Sequence, residues 1–198
     1  MRLPAPKKNQ VEFPSLLLDT LFGLVLYFCL DYFLDITNWW HLIFYLSSLF
    51  VVVHWWMIFK STDDMFGLNI SNSFVDIILG IIYLILIEMM VLQARVFDVA
   101  QSIYFLLAVF IIDLIWALIW FYVGHWNTGN KLHVKAMNKE LKNTMLCDVI
   151  VLCLYIAFCL SAFYFNLSTS TWVVAHLLIY SLYIYLTFKT KVIDLKFF

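Results

Sequence analysis

Acidic residues inside long apolar runs are the groups in this sequence best placed to do chemistry. Asp113 stands in the middle of one such run, in the stretch FIIDLIWALIW. Because a charge within hydrocarbon costs several kcal/mol, such a residue faces a bundle interior, pairs with another group or lines water. We therefore expect Asp113 to bind a cation, relay a proton or accept a hydrogen bond from a buried Tyr, Ser or His.

Three further acids stand near the predicted inner ends of helices. Asp19, Asp76 and Asp148 each follow the start of an apolar run by a few residues. The positive end of the helix dipole stabilises an anion there, and Asp76 and Asp148 could also cap their helices. We expect these three acids, with Asp113, to form the inner part of an ion pathway.

A second group of acids lies on the predicted outer side. Asp31 and Glu88 belong to it, with Asp35 and Asp98 beside them, and Arg95 is the one basic residue on that side. The net negative charge would concentrate cations at an outer mouth. Glu88 also lies two helical turns before Arg95, so the two are predicted to form a structural ion pair, with Asp31 as the alternative partner of Arg95.

Four histidines allow two other interpretations. His41 and His54 are thirteen residues apart in one apolar run, about 20 Å along a helix. This spacing is similar to that by which helices of cytochrome b-type proteins bind two stacked haems. Topology places His176 level with His41 and His125 level with His54. The four are therefore interpreted as hydrogen-bonded or pH-sensitive histidines, with haem ligation as the alternative.

Motifs that carry other chemistry do not occur in the sequence. There is no glycine-rich phosphate loop, GxSxG elbow or HExxH pair, and the four Cys show no CxxC spacing. We therefore expect no enzyme, no metal site and no cofactor, haem b remaining the minor alternative. The net charge of -1 argues against a nucleic-acid partner.

The elements that must position these residues are membrane helices. The chain is 65% hydrophobic and 13% charged, and about 20 apolar residues cross a bilayer as a helix. We predict an all-α polytopic membrane protein whose lipid-embedded serines, Ser47, Ser48 and Ser161, hydrogen-bond across helices. The six predicted spans are Pro14–Asp35, Trp39–Phe59, Ser73–Leu92, Ala100–Gly124, Leu146–Phe165 and Thr171–Phe188.

Basic residues fix the predicted orientation. Eleven of the twelve Lys and Arg residues fall in alternate gaps between the runs. The positive-inside rule then places both termini in the cytoplasm. We divide the chain into a cytoplasmic segment at 1–13, a transmembrane domain at 14–188 and a cytoplasmic tail at 189–198.

The longest polar connection, residues 127–145, carries four lysines at helical spacing. It is predicted to be a basic cytoplasmic loop containing a short helix that lies on the membrane face. Such a loop anchors the inside orientation, docks a cytoplasmic protein or recognises anionic lipid. The lysines concerned are Lys131, Lys135, Lys139 and Lys142.

Together these features favour an ion- or proton-conducting protein of the channel or transport type. We expect a homo-oligomer in a bilayer such as a bacterial inner membrane, because six helices with few small residues pack poorly around a pore within a single subunit. The alternatives are a non-conducting anchor, sensor or effector subunit that couples to a cytoplasmic partner through residues 127–145, and a bis-His haem b electron carrier.

Overall fold

The computed structural model describes residues 20, 22–27, 36–66, 74–123, 131–190 and 192. Within those residues the regular elements are all helices, which confirms the all-α prediction. A short helical stretch at 22–27, α1, precedes five long helices. These are α2 (Trp39–Phe66), α3 (Phe74–Arg95), α4 (Val99–Val123), α5 (Lys131–Phe165) and α6 (Thr169–Lys189).

The five long helices are long and apolar enough to cross a membrane. Their apolar parts agree with the second to sixth predicted spans to within five residues at each end, although helix α5 itself begins at Lys131, well before the predicted start at Leu146. The crossing segments are Trp39–Ile58, Ile78–Arg95, Val99–Ile119, Leu141–Phe165 and Thr169–Lys189. Of the first predicted span, the described residues are Thr20 and those of α1.

Three helices begin with the same capping device. The side chain of Asn38 accepts a hydrogen bond from the backbone N–H of His41 at 2.9 Å, and Asp98 accepts from Gln101 at 3.0 Å. Ser168 caps α6 in the same way. Each side chain satisfies an amide that the first helical turn leaves without a carbonyl partner.

The turn between α3 and α4 is tight, running over only Val96, Phe97 and Asp98. Phe97 has a φ of 59°, and left-handed backbone is uncommon for a bulky residue. Its ring stacks on His41 with the centroids 5.0 Å apart. This ring contact stabilises the left-handed residue and joins the turn to the start of α2.

The fifth predicted span differs from the structure at its beginning. We expected a short helix on the membrane face and then a new helix at Leu146. Instead α5 runs without a break from Lys131 to Phe165 over 35 residues. The prediction that Asp148 caps a helix is therefore wrong, because Asp148 lies seventeen residues inside α5.

The five long helices close into a ring. Each contacts the next along the chain, α6 also contacts α2, and α4 contacts α6. Aromatic side chains from different helices meet inside: Phe110 of α4 lies 5.4 Å from Trp55 and 5.0 Å from Tyr183, measured between ring centroids. Such aromatic contacts help to hold the helices together where lipid offers no hydrophobic driving force.

The serines predicted to hydrogen-bond across helices do not do so. Ser47 and Ser48 both donate to the carbonyl of Phe44, and Ser161 donates to that of Ala157. Each hydroxyl donates to a backbone carbonyl of its own helix, as Ser often does in apolar surroundings. The serine that does link helices is Ser102 of α4, which donates to the carbonyl of Met90 of α3 at 2.8 Å.

Candidate functional site

The buried side of α6 is mostly polar. His176, Tyr180, Tyr183 and Thr187 are each at most 3% exposed. They follow one another at intervals of four, three and four residues, which places them on one face of the helix over about 16 Å. We call these four residues the α6 polar face. Each of its members hydrogen-bonds a side chain of α2 or α5.

Two carboxyl groups meet beside this face. The carboxyl groups of Asp113 of α4 and Asp148 of α5 are close enough to interact with each other, and Tyr183 donates to Oδ1 of Asp148 at 2.8 Å. A carboxylate can only accept hydrogen bonds and repels a second carboxylate, so two neighbouring carboxyl groups favour a state in which they share one proton. We call Asp113 and Asp148 the carboxyl pair.

The carboxyl pair retains free hydrogen-bonding capacity. Within the described part of the chain, Oδ2 of Asp113 and Oδ2 of Asp148 are buried without a hydrogen-bond partner. The hydroxyl of Tyr83 and the indole N–H of Trp55 are likewise buried without a hydrogen-bond partner among the described residues. The Tyr83 and Trp55 rings are 5.1 Å apart, and Tyr83 lies within electrostatic range of both carboxyl groups. Since each unsatisfied buried group costs about 1–3 kcal/mol, this cluster is unusual for a purely structural core.

His54 of α2 binds the α6 polar face through both ring nitrogens. Nδ1 lies 2.7 Å from the hydroxyl of Tyr180, and Nε2 lies 3.1 Å from Oγ1 of Thr187. The ring also makes an edge contact with Tyr183 at 5.4 Å. His54 therefore lies next to the residue that binds the carboxyl pair.

A second histidine–tyrosine contact lies one turn away along α6. Nδ1 of His176 is 2.9 Å from the hydroxyl of Tyr155 on α5. The His176 ring stacks on that of Tyr180 at 5.9 Å. Hydrogen-bonded and stacked side chains thus follow one another along α6 from His176 to Thr187.

Two of the proposed haem ligands, His41 and His54, make other hydrogen bonds. A ligating His offers one free ring nitrogen to iron while the other donates a hydrogen bond. Both nitrogens of His54 are already hydrogen-bonded. Nδ1 of His41 accepts from the backbone N–H of Thr37 at 3.2 Å, so the neutral ring carries its proton on Nε2. Neither residue could ligate iron without exchanging these bonds.

Near the C-terminal end of α6, polar contacts tie α5 to α6. Asn143 donates to the carbonyl of Thr190 at 3.0 Å, and the thiol of Cys147 lies 3.6 Å from the Thr190 hydroxyl. Nearby, Lys142 sits over the ring of Phe121 at 5.7 Å. This end of the site is therefore closed by contacts between α4, α5 and α6.

Other predicted site residues are not brought to the carboxyl pair. Glu88 and Arg95 are half-buried on α3, and their ion pair remains a prediction. Asp76, Lys131 and Lys135 lie in helices, but their side chains are not described. Lys139 and Lys142 are exposed. The predicted site residues outside the described parts of the chain are Asp19, Asp31 and His125.

The sequence interpretation missed the tyrosines. Tyr83, Tyr155, Tyr180 and Tyr183 stand in apolar runs, where Tyr usually indicates an aromatic core or interface residue. The signal that could have identified them is the spacing of the α6 polar face. In a helix predicted to cross a membrane, a polar residue at every third or fourth position indicates a buried polar seam.

Comparisons with protein-family models, with curated proteins and with solved structures give no match to this chain. The described ranges contain no group of three or more His, Cys, Asp and Glu side chains that could hold a metal ion. The five candidate spans indicate a multi-pass integral membrane protein, and its helices enclose a buried acid, Asp148, together with buried histidines and tyrosines.

Proposed function

We propose that the protein conducts protons across a membrane, and that the carboxyl pair is the group through which each proton passes. The observation that supports this is the proximity of the Asp113 and Asp148 carboxyl groups, beside the hydroxyl of Tyr183. The two acids come from different helices and each keeps an unpartnered buried oxygen. A pair of this kind can gain or lose one proton without moving any other part of the protein.

Protons fit this site better than hydrated metal cations. Asp148 is fully buried, and its contacts are the hydroxyl of Tyr183 and the carboxyl group of Asp113. A monovalent or divalent cation needs several oxygen ligands in place of its water shell. A proton needs only an acceptor within hydrogen-bonding distance, which Asp113, Asp148 and Tyr183 supply to one another.

The proposed protein has six spans with both termini in the cytoplasm, and it assembles as a homo-oligomer. The distribution of Lys and Arg supports the orientation. In that orientation the α6 polar face leads from the outer half at His176 to the inner end at Thr187. The carboxyl pair then lies in the inner half, beside Tyr183.

Proton flux into proteoliposomes tests the proposal. Purified protein is reconstituted with a pH-sensitive dye inside the vesicles, and a valinomycin-clamped potassium potential drives the flux. We expect Asp113→Asn and Asp148→Asn each to lower the flux about tenfold or more, because an amide cannot exchange the proton. Glu140→Gln is the matched control, since Glu140 lies in the part of α5 that precedes the candidate span Leu141–Phe165.

Equal flux in wild type and Asp113→Asn would remove Asp113 from the pathway. The same vesicles are loaded with a sodium dye to distinguish the conducted ion. Sodium flux without proton flux in wild type would contradict the assignment of protons. No flux of either ion would contradict the proposal as a whole.

A second candidate function, a subunit that binds a cytoplasmic protein, is supported by the length of α5. Thirty-five helical residues extend about 52 Å, which exceeds the thickness of the hydrocarbon core, about 30 Å. The part before Leu141 therefore extends beyond the span and exposes Lys139. Charge reversal of Lys131, Lys135, Lys139 and Lys142 should abolish capture of such a partner, and unchanged capture would contradict this function.

A further inference from the structure

The two hydrogen bonds of the His54 ring run in the same donor-to-acceptor direction. The hydroxyl of Thr187 donates its only hydrogen to the carbonyl of Ile184 at 2.9 Å. Oγ1 of Thr187 must then accept from His54, so Nε2 carries a hydrogen. In the neutral ring Nδ1 is left as an acceptor, and the hydroxyl of Tyr180 donates to it at 2.7 Å.

Three consecutive hydrogen bonds therefore have the same donor-to-acceptor direction, from Tyr180 through His54 to Thr187 and on to Ile184. The ring of His54 connects two hydroxyl groups of α6 that are seven residues apart, about 10 Å along the helix. His54 is 1% exposed, and the rings of Phe50, Tyr183 and Phe188 lie within 6.5 Å of it between centroids. These rings shield the string from the lipid and from competing hydrogen-bond partners.

We propose that Tyr180, His54 and Thr187 form a proton-transfer string, the His54 string, that carries protons along the inner half of α6. This inference rests on the proposed function and adds a route to it. The hydroxyl of Tyr183 binds Asp148 while its ring contacts His54. The string therefore runs beside the carboxyl pair, and we place the two in series, so that each proton passes through both.

One transfer through the string balances without any redox step. A proton reaches the oxygen of Tyr180 as the existing Tyr180 proton moves to Nδ1 of His54. His54 then releases its Nε2 proton to Oγ1 of Thr187, and the Thr187 hydroxyl turns from Ile184 and gives up its own proton toward the inner end of α6. One proton has entered and one has left, and rotation of the hydroxyl groups with return of the ring tautomer resets the string.

The same contacts could serve only to hold α2 against α6, so the test must separate transfer from packing. Thr187 provides the sharpest pair of variants. Thr187→Val keeps the shape and removes the hydroxyl, whereas Thr187→Ser keeps the hydroxyl and removes a methyl group. His54→Gln keeps one donor and one acceptor but cannot pass a proton between them.

Proton flux is measured in the proteoliposomes described above, and thermal stability in detergent is measured for every variant. We expect His54→Gln and Thr187→Val to lower the flux about tenfold, and Thr187→Ser to stay within about twofold of wild type. Nitrogen-15 NMR of labelled histidine should show His54 protonated at Nε2 and bare at Nδ1. A ring protonated at Nδ1 alone would overturn the string.

The flux results separate this inference from the proposed function. Wild-type flux in His54→Gln or Thr187→Val, with the Asp113→Asn flux still reduced, overturns the string and leaves the carboxyl pair in place. Equal losses in Thr187→Val and Thr187→Ser also overturn it, because the hydroxyl then has no special role. A wild-type protein without proton flux overturns both proposals.

Discussion

Tyr183 is the residue at which the separate contacts of the core meet. Its hydroxyl donates to Asp148, and its ring packs against Trp55, Phe110 and His54. It is fully buried. A single side chain thus satisfies one acid, fills the centre of the helix ring and adjoins the His54 string.

Removing this hydroxyl should destabilise the protein through Asp148. We expect Tyr183→Phe to lower the free energy of unfolding by about 1–2 kcal/mol, since a buried acceptor loses its donor. Thermal unfolding in detergent measures the loss, and Tyr185→Phe, 56% exposed and two residues away, is the control. In an Asp148→Leu background the effect of Tyr183→Phe should nearly vanish. A loss of the same size there would show that the hydroxyl stabilises something else.

Glu88 and Arg95 provide a second prediction at this scale. Both are half-buried on α3, so their pairing would be partly desolvated. Breaking a fully buried ion pair lowers the free energy of unfolding by about 3–5 kcal/mol. Because water screens part of the charge here, we expect Arg95→Ala to lower it by about 1–2 kcal/mol. Adding Glu88→Gln should restore much of the thermal stability. A double variant no more stable than Arg95→Ala would exclude Glu88 as the partner.

At the scale of elements, the apolar runs predicted the long helices well. Leu, Ile and Phe in runs of about 20 residues leave the backbone no partner in lipid except its own carbonyls. The start of α5 was predicted wrongly because hydropathy locates the edge of the hydrocarbon, not the end of a helix. Lys139, Glu140 and Lys142 end the apolar run, but they are good helix formers and α5 continues through them.

The continuity of α5 can be measured as a distance. Spin labels at Lys135→Cys and the native Cys153, with the other three cysteines replaced by Ala, are eighteen residues apart. An unbroken helix separates their backbones by about 27 Å, whereas a right-angle bend near Met145 would shorten this to roughly 19 Å. We expect the longer distance from double electron–electron resonance in bilayers. The shorter distance would instead support the predicted separate helix on the membrane face.

At the scale of the whole molecule, the sequence identified the acids but not their pairing. Asp113 and Asp148 were recognised because a carboxyl group in an apolar run is costly. Their contact depends on how α4 and α5 are rotated against each other, and on Asp148 lying deep within α5. Neither property follows from hydropathy. The α6 polar face could have been predicted from its spacing, whereas its partners His54 and Tyr155 could not, because a pattern within one helix does not specify its neighbours.

The number of spans decides on which sides of the membrane the two ends of the chain lie. Six spans would place both termini on one side, and the lysine distribution predicts that this side is the cytoplasm. If only the five long helices cross, the termini lie on opposite sides. A small fragment of a split fluorescent protein, fused to either terminus and complemented only by a cytoplasmic partner fragment, distinguishes these arrangements. We expect fluorescence from both fusions and none when the fragment is inserted at Asn166, in the turn between α5 and α6. Fluorescence from one terminus alone would show an odd number of spans, so that the first predicted span would not cross the membrane. If that terminus were the N-terminus, the α6 polar face would also lead in the opposite direction.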